Sequence, residues 1–573
     1  MTTEEAATPT GRAVLDRLGV SEDPLVGADP VSFLRSLVTA GGAVARHPVG
    51  AAAVNARLAI GFLSAVRAAG GRAIGRDTPG PLSPAKGDKR FTDRAFSQNP
   101  LYFLLEQEYL LATQAVTELL DVAGLEGSQD TKARFAAKLL LDALAPTNVL
   151  LGNPAALREA FDTGGKSVVR GLRNMISDFR HNGGWPSQVD GSGFEVGVNM
   201  AATPGSVVYR SELIELIQYE PQGEKVHEVP LLFCPPWINK YYIMDLAPGK
   251  SLIEWAVQHG HTCFAISYRN PDASMRDLGF ADYLKQGPLD AVRVVREITG
   301  AAEVNTLSVC LGGTLGAIAL AHNALIGDAS IKSATFLNTL TDFSTPGALG
   351  VFTDEATIAG LERQMAKRGY LDSDKMAHTF DALRANDLIF SYVVNNWLLG
   401  KKPPAFDLLV WNKDSTRMPA KMHSEYLRSC YLNNQFAQNE FEVDGQKLVP
   451  GKVDVDTYVL CAVDDHIVPW TAGYETTKVL GGQHRFVLST SGHIAGIVNP
   501  PGPKPKHWVN EDSLPADPQA WKEGATLKEG TWWEDWATWI DTQAGPMVDA
   551  RRRLGSDAHP VIEPAPGSFV RSE

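Results

Sequence analysis

Cysteine is scarce in this chain, and its five copies (Cys234, Cys263, Cys310, Cys430 and Cys461) form no C-x-x-C pair and no metal-ligand spacing with histidine. A disulfide-stapled fold is excluded, no bound metal is expected, and the odd count fits a reducing cytoplasm. A long apolar run is also lacking. The most apolar stretch, residues 49–69, is broken by Arg57 and Arg67 and falls short of the roughly 18 consecutive apolar residues of a membrane-spanning helix, so no transmembrane segment is expected. Residues 1–20 mix Glu4, Glu5, Arg12 and Asp16 with apolar residues and lack the apolar centre of an export signal. Positive charge is in deficit: 53 Lys and Arg stand against 66 Asp and Glu, a net charge of -13, which argues against binding nucleic acid by bulk charge. Internal repeats and low-complexity tracts are missing too.

What remains is ordinary globular material, 44% hydrophobic and 21% charged over 573 residues, enough for a sizeable core. Residues 31–76 depart from the acidic whole, with Arg35, Arg46, Arg57, Arg67, Arg72 and Arg76 but no Asp or Glu. A basic amphipathic pair of this kind either lies on an apolar or anionic interface or packs on its own protein. After a Pro/Gly-rich break at 77–88, helical patterns at 100–123, 131–143 and 154–180 predict a mainly α-helical N-terminal domain, residues 1–190.

Gly183-Gly184-Trp185-Pro186 and Asp190-Gly191-Ser192-Gly193 then stop helices and seed turns. Beyond them, strand-like runs at 206–209, 214–219, 229–234, 262–268, 305–309 and 456–462 alternate with helical patterns at 252–259, 287–298 and 314–325. This alternation predicts an α/β domain, residues 191–573, with a mainly parallel sheet covered by helices. The rhythm breaks between 340 and 448, and because a structureless loop of that length is uncommon, an inserted helical cap is expected. Trp521, Trp532, Trp533, Trp536 and Trp539 read as core.

The sharpest chemical signal is Ser308-Val309-Cys310-Leu311-Gly312-Gly313, where a strand ends in cysteine and a helix begins. A nucleophile held at such a turn needs small neighbours two residues to either side, which Ser308 and Gly312 provide, and the helix dipole favours its thiolate. The plainer reading is a buried structural cysteine. Two later groups weigh against it: Asp464-Asp465-His466 follows one strand, and His493 sits in a small-residue loop after the next. Nucleophile, acid, histidine is the chain order of an α/β-hydrolase fold. Strand alternation lets only one of the two acids face the site, and Asp465 is favoured. His466, next to the acid, is badly placed to be its partner, so His493 is the expected base and His466 a substrate contact or support. A strand also precedes Pro235-Pro236-Trp237-Ile238-Asn239-Lys240, where a backbone N–H near Trp237 or Ile238 would join that of Leu311 in holding an oxyanion.

Together these motifs resemble polyhydroxyalkanoate synthases. The resemblance covers nearly the whole chain and includes 88–112, Ala145-Pro146-Thr147-Asn148, 201–218, 235–246, Tyr268-Arg269-Asn270-Pro271-Asp272, Arg384-Ala385-Asn386-Asp387-Leu388 and 403–411. It implies an acyltransferase that joins (R)-3-hydroxyacyl units from CoA thioesters into polyester. Cys310 would be acylated, His493 the base, Asp465 its acidic partner, and no cofactor would be needed beyond the CoA substrate. It further implies a cytoplasmic homodimer at the surface of polyester granules, in contact with the growing chain. Leu311, Val468 and the full-length N-terminal region look like the single-subunit, short-chain class (class I). Ser308 stands where the family usually has Gly, and Phe96 where it usually has Trp. Trp237, Asn239 and Lys240 are candidate substrate contacts, and Lys240, Arg269 or residues 504–507 could meet the CoA phosphates. The competing readings are a cysteine esterase, thioesterase or depolymerase of the same fold, and an inert granule-coating protein, which would have no need of the triad.

Overall fold

The computed structural model describes residues 30–511 and 514–572, so residues 1–20, read above as carrying no export signal, lie outside the described residues. The chain divides into two compact units. The first joins the sequence up to Asp190 with His378–Phe406, and the second joins Gly191–Ala377 with the chain from Asp407 onward.

In the first unit the main helices are α1 (Pro30–Ala45), α2 (Pro48–Ala73), α3 (Pro100–Ala123), α4 (Gly127–Ala143) and α5 (Lys166–His181). Helix α3 shows how local sequence sets the ends. The Asn99 side chain accepts from the N–H groups of Leu101 and Tyr102, Pro100 fills the first helical position, and Gly124 closes the helix in the left-handed region at φ 58°. Arg57 of α2 pairs with Glu118 of α3 at 2.7 Å, and Arg72 lies 3.6 Å over the Phe103 ring, so both arginines face their own protein. By length and composition alone, the 26 residues of α2 are long and apolar enough to cross a membrane, but a single such helix makes no clear span and does not overturn the expectation of no transmembrane segment. Its apolar content is spread through Ala and Gly as well as Val, Ile, Leu and Phe, and Val49, Ile60 and Leu63 are exposed. Phe96 is buried, edge-on to Phe91 at 5.1 Å.

The stretch expected as one helical cap, 340–448, is largely helical but is shared between the units. Residues 378–406 go with the N-terminal helices because Gly171 of α5 lies directly against the Trp397 carbonyl, where any Cβ would clash. The Trp397 ring N–H also donates to Asp178 at 2.7 Å.

The second unit is built on an eleven-stranded sheet. Its strands are β1 (Gly205–Arg210), β2 (Ile214–Tyr219), β4 (Leu231–Cys234), β5 (Cys263–Tyr268), β6 (Val304–Val309), β7 (Ile331–Leu337), β8 (Asp456–Ala462), β9 (His484–Ser489), β10 (Lys506–Val509), β11 (Thr526–Glu529) and β13 (Glu563–Pro564). A separate ribbon pairs β3 (Lys225–His227) with β12 (Met547–Asp549). The order across the sheet is β11-β10-β9-β8-β7-β6-β4-β5-β2-β1-β13. Strands β5, β4, β6, β7, β8 and β9 are mutually parallel, and the flanking strands are antiparallel. Strands β4 and β6 are buried along their whole length, as parallel strands covered on both faces must be. Helices α6 (Leu252–Gln258), α7 (Asp290–Thr299), α8 (Leu311–Ile326) and α9 (Trp532–Asp541) pack on this sheet. The chain passes from β4 to β5 on one side and returns to β6 on the other, so the strand order reverses between β4 and β6. Crevices at the carboxyl ends of strands beside such a reversal are where open α/β sheets bind ligands.

Candidate active site

Cys310 stands at that crevice, between β6 and α8. Its backbone, at φ 52° and ψ -120°, is in a region that costs a non-glycine residue on the order of 1–3 kcal/mol, and the surrounding structure holds it there. The Cys310 N–H donates to the Leu337 carbonyl at 2.9 Å, while its own carbonyl accepts from Gly313 and Thr314. Gly312 is required by close approach, since a Cβ would lie 2.5 Å from the carbonyl oxygens of Cys234 and Pro235. The same contact runs the segment leading to Ile238 beside the start of α8, where Leu311 presents one of the unpaired N–H groups of a helix terminus. Cys310 is half-buried and the other four cysteines are buried. Burial pushes the Cys234 thiol up to about 12 and raises Cys263, Cys430 and Cys461 as well, which leaves them inert as thiolates.

The two later motifs meet at the ends of the neighbouring strands β8 and β9. His493 Nδ1 lies 2.6 Å from Asp465 Oδ2, and Asp465 Oδ1 accepts from the N–H groups of Ile467 and Val468 at 2.8 and 2.9 Å. Both oxygens of this buried carboxylate therefore have fixed partners. The alternative acid, Asp464, is exposed and uses its N–H to bridge to the Ser491 carbonyl at 3.0 Å. Burial works against a charged imidazole at His493. The charges of Asp465 and Cys310 and hydrogen bonds with both outweigh it and raise His493 well above its ordinary value. His493 is thus set between carboxylate and thiol, placed to take the thiol proton as a general base.

Several residues that sequence reasoning missed hold this geometry. Asn338, just after β7 at φ 45°, donates its side-chain N–H to the His493 carbonyl. Trp532 and Trp533 of α9 donate their ring N–H groups to the carbonyls of Gly496 and Ile497, at 2.9 and 3.0 Å, and so fasten the loop that carries His493. The tryptophans are core, as expected, and they also position this loop. Tyr426 and Tyr431 come from the inserted stretch. They lie close enough to Cys310 for its charge to help raise their hydroxyls, after burial as the main cause, and their rings are 5.4 Å apart. The hint in the sequence was only the density of aromatics there.

The remaining expected contacts are distributed differently. Trp237 is buried, its ring 4.8 Å from that of Tyr283 and its N–H on the Met422 sulfur. Asn239 is half-buried and donates to the Asn412 carbonyl and Ser415 Oγ. Lys240 is buried, and its ammonium is paired with Asp414 at 3.0 Å and donates to the carbonyls of Val570 and Ser572. Its three N–H donors are spent, so the reading of Lys240 as a phosphate contact is corrected to a tie for the C-terminal segment. His466 is half-buried and its carbonyl accepts from Ala348. Arg269 pairs with Asp272 at 2.6 Å and Lys506 with Glu529 at 2.7 Å, while Lys504 is exposed.

Comparison with known proteins gives two family profiles. One, described as "Poly-beta-hydroxybutyrate polymerase (PhaC) N-terminus", matches residues 87–256, and the other, "alpha/beta hydrolase fold", matches residues 229–500. The second agrees with the parallel sheet and identifies the fold of the second unit. Similar proteins include the poly(3-hydroxyalkanoate) polymerase of Methylorubrum extorquens, 44% identical over 87% of this chain and 83% of that one. The poly(3-hydroxyalkanoate) polymerase subunit PhaC of Cupriavidus necator is 43% identical over 87% and 84% respectively. Among solved structures, mouse alpha/beta hydrolase domain-containing protein 10 is similar with a TM-score of 0.31 and 14% identity, over 51% of this chain and 95% of that one.

Proposed function

This chain belongs to the poly(3-hydroxyalkanoate) polymerase family and is a polymerising acyltransferase, and from that premise we propose that its reaction runs through an acyl thioester on Cys310. The observation that carries the reading is the 2.6 Å Asp465–His493 pair set against a cysteine on a strained turn. In loading, the Cys310 thiolate attacks the thioester carbonyl of a hydroxyacyl-CoA. The N–H groups of Leu311 and Ile238 hold the tetrahedral oxygen, and the CoA sulfur leaves with the proton from His493. One thioester replaces another, so the step is close to balanced in energy. In elongation, neutral His493 takes the proton of a hydroxyl, whose oxygen attacks acyl-Cys310. An ester forms, and the thiol returns with the proton held by His493. Asp465 fixes the tautomer that makes both transfers available to one base. Water must be kept from the acyl-enzyme, and the Tyr426–Tyr431 wall near Cys310 supports that exclusion.

The finer reading is a class I enzyme, using (R)-3-hydroxybutyryl-CoA and working as a homodimer at a cytoplasmic granule surface. Residues 1–190, joined by 378–406, would be the granule-facing helical domain and the rest of 191–573 the catalytic one. Leu311 and Val468 support the class, and the exposed Val49, Ile60 and Leu63 of α2 support attachment to an apolar surface. The test supplies purified full-length protein with (R)-3-hydroxybutyryl-CoA and quantifies CoA, free acid and ester-linked oligomer. CoA release matched by oligomer is expected, whereas release matched by free 3-hydroxybutyrate would overturn the reading in favour of a hydrolase.

A further inference from the structure

A second convergence of chemically active side chains lies at the amino ends of the parallel strands, the opposite end of the sheet from Cys310. His227 ends β3 just before β4, His261 sits in the turn just before β5, and Asp541 is the last residue of α9. The Nε2 atoms of His227 and His261 stand 3.4 and 3.7 Å from Asp541 Oδ1. One ligating atom from each of the three residues lies within 4.8 Å of the others. The imidazoles are stacked, with centroids 4.7 Å apart.

We propose that His227, His261 and Asp541 bind one divalent transition-metal ion of the zinc type. Zinc takes imidazole nitrogen and carboxylate oxygen at about 2.0–2.1 Å, so its tetrahedral ligands stand about 3.3 Å apart. The two nitrogen-to-oxygen separations are already close to that edge.

The hydrogen-bond pattern points the same way. His227 Nδ1 lies 3.4 Å from the Gly545 carbonyl oxygen, so the ring N–H belongs there, and the Nε2 lone pair faces Asp541. A ring nitrogen anchored on a carbonyl is the usual support for a metal-bound histidine. His261 is 1% exposed, and neither of its nitrogens has a hydrogen-bond partner among the described residues. Both ring nitrogens of this buried imidazole are therefore left unsatisfied. Two imidazole nitrogens and a carboxylate oxygen converge on one point, which suits a cation set between them. A metal ion between them answers all three groups at once. The carbonyl end of α9 also favours positive charge at Asp541. The Asp541 side chain is 55% exposed, so solvent can complete the coordination.

Such an ion would clip the β3–β12 ribbon and the turn before β5 to α9, the helix whose first turn fastens the His493 loop. The role is structural, since the groups that the reaction uses stand at the other, carboxyl end of the strands.

The test uses the full chain with Cys310→Ala, so that the active-site thiol does not compete, stripped with chelator and titrated with Co²⁺ and then Zn²⁺. One Co²⁺ per chain with visible ligand-field absorption, displaced by Zn²⁺, is expected. His227→Ala and Asp541→Asn should each weaken binding at least about tenfold, with an unchanged near-UV circular dichroism spectrum. These two ligands carry the test because truncating His261 opens the core. Failure to bind one equivalent, or binding that both substitutions leave unaltered, overturns the proposal. Stability that follows pH without metal uptake also overturns it and assigns the cluster to a His227–Asp541 ion pair.

Discussion

Replacing Asp465 by Asn separates the two half-reactions. Oδ1 of the carboxylate accepts two backbone N–H groups, from Ile467 and Val468, so the amide must place its oxygen there. Its NH₂ then occupies the Oδ2 position, 2.6 Å from His493 Nδ1, and donates where the wild-type carboxylate accepts. Nδ1 becomes an acceptor, the ring proton moves to Nε2, and the imidazole presents N–H to the thiol instead of a lone pair. The imidazolium also loses the charge that raises it.

Loading then depends on thiolate formed without help. For a free thiol with a pKa near 8.5, only about 3% is ionised at pH 7, so first-turnover CoA release should fall about 30-fold and recover as the pH is raised to 9. Elongation has no such rescue, because a hydroxyl needs the base itself, and a wrong-tautomer histidine costs on the order of 10⁴. Rapid-quench measurement of CoA release against steady-state ester formation, at pH 7 and pH 9, reads both phases. Equal losses in the two, or a loading defect that high pH leaves unchanged, would refute the reasoning.

Acylation should be confined to Cys310: mass spectrometry of a quenched reaction is expected to place the adduct on the peptide holding residues 308–314, and Cys310→Ala should abolish CoA release with unchanged circular dichroism. Gly312→Ala drives a Cβ to 2.5 Å from two backbone carbonyls, so it should lower stability by about 1–3 kcal/mol and suppress adduct formation, read by thermal melts and mass spectrometry. His423 is buried with neither ring nitrogen bonded among the described residues, and burial holds it down at about 4. The unfolded chain takes up this proton near pH 6.5 and the folded chain does not, so its contribution is present above that pH and is lost as pH falls toward 4, by about 2 kcal/mol at pH 5. His423→Leu should therefore flatten the fall in Tm between pH 7 and pH 5, and an equally steep fall in the variant would show that His423 is not its source.

The chemistry-bearing segments were legible because each is a local pattern: small residues around Cys310, an acid pair after one strand, a histidine in a small-residue loop after another. The alternation of strand and helix was legible for the same reason. What local pattern could not carry is anything decided by residues distant in sequence. Residues 378–406 join the N-terminal helices through Trp397 against Gly171 and Asp178, a contact invisible in either segment alone. Lys240 reads as a free charge beside a reactive turn until Asp414 and two carbonyls near the C-terminus are brought to it. Asn338, Trp532 and Trp533 hold the His493 loop through bonds to backbone carbonyls, which carry no side-chain signature that a sequence could display.

Ser308 shows how such a distant residue can absorb a local departure. A glycine at this position, as the resemblance implies, would leave space between β6 and α8, and a serine must find room for its hydroxyl at a fully buried site. It does so because residue 316, in the second turn of α8, is itself glycine: a Cβ there would stand 2.8 Å from Ser308 Oγ. On the sheet side Ser308 is in register with Cys234 of β4, whose thiol its hydroxyl bonds, partly offsetting the rise that burial imposes. The polar group is thus satisfied and the volume balanced without any shift of the Cys310 turn. The pairing of a larger residue on the strand with a smaller one on the helix is what close packing demands of a substitution that leaves the backbone in place. The elbow's geometry is therefore a property of residues 234, 308, 312 and 316 together, drawn from two strands and one helix. The six-residue motif around Cys310 is the part of that set that happens to be contiguous.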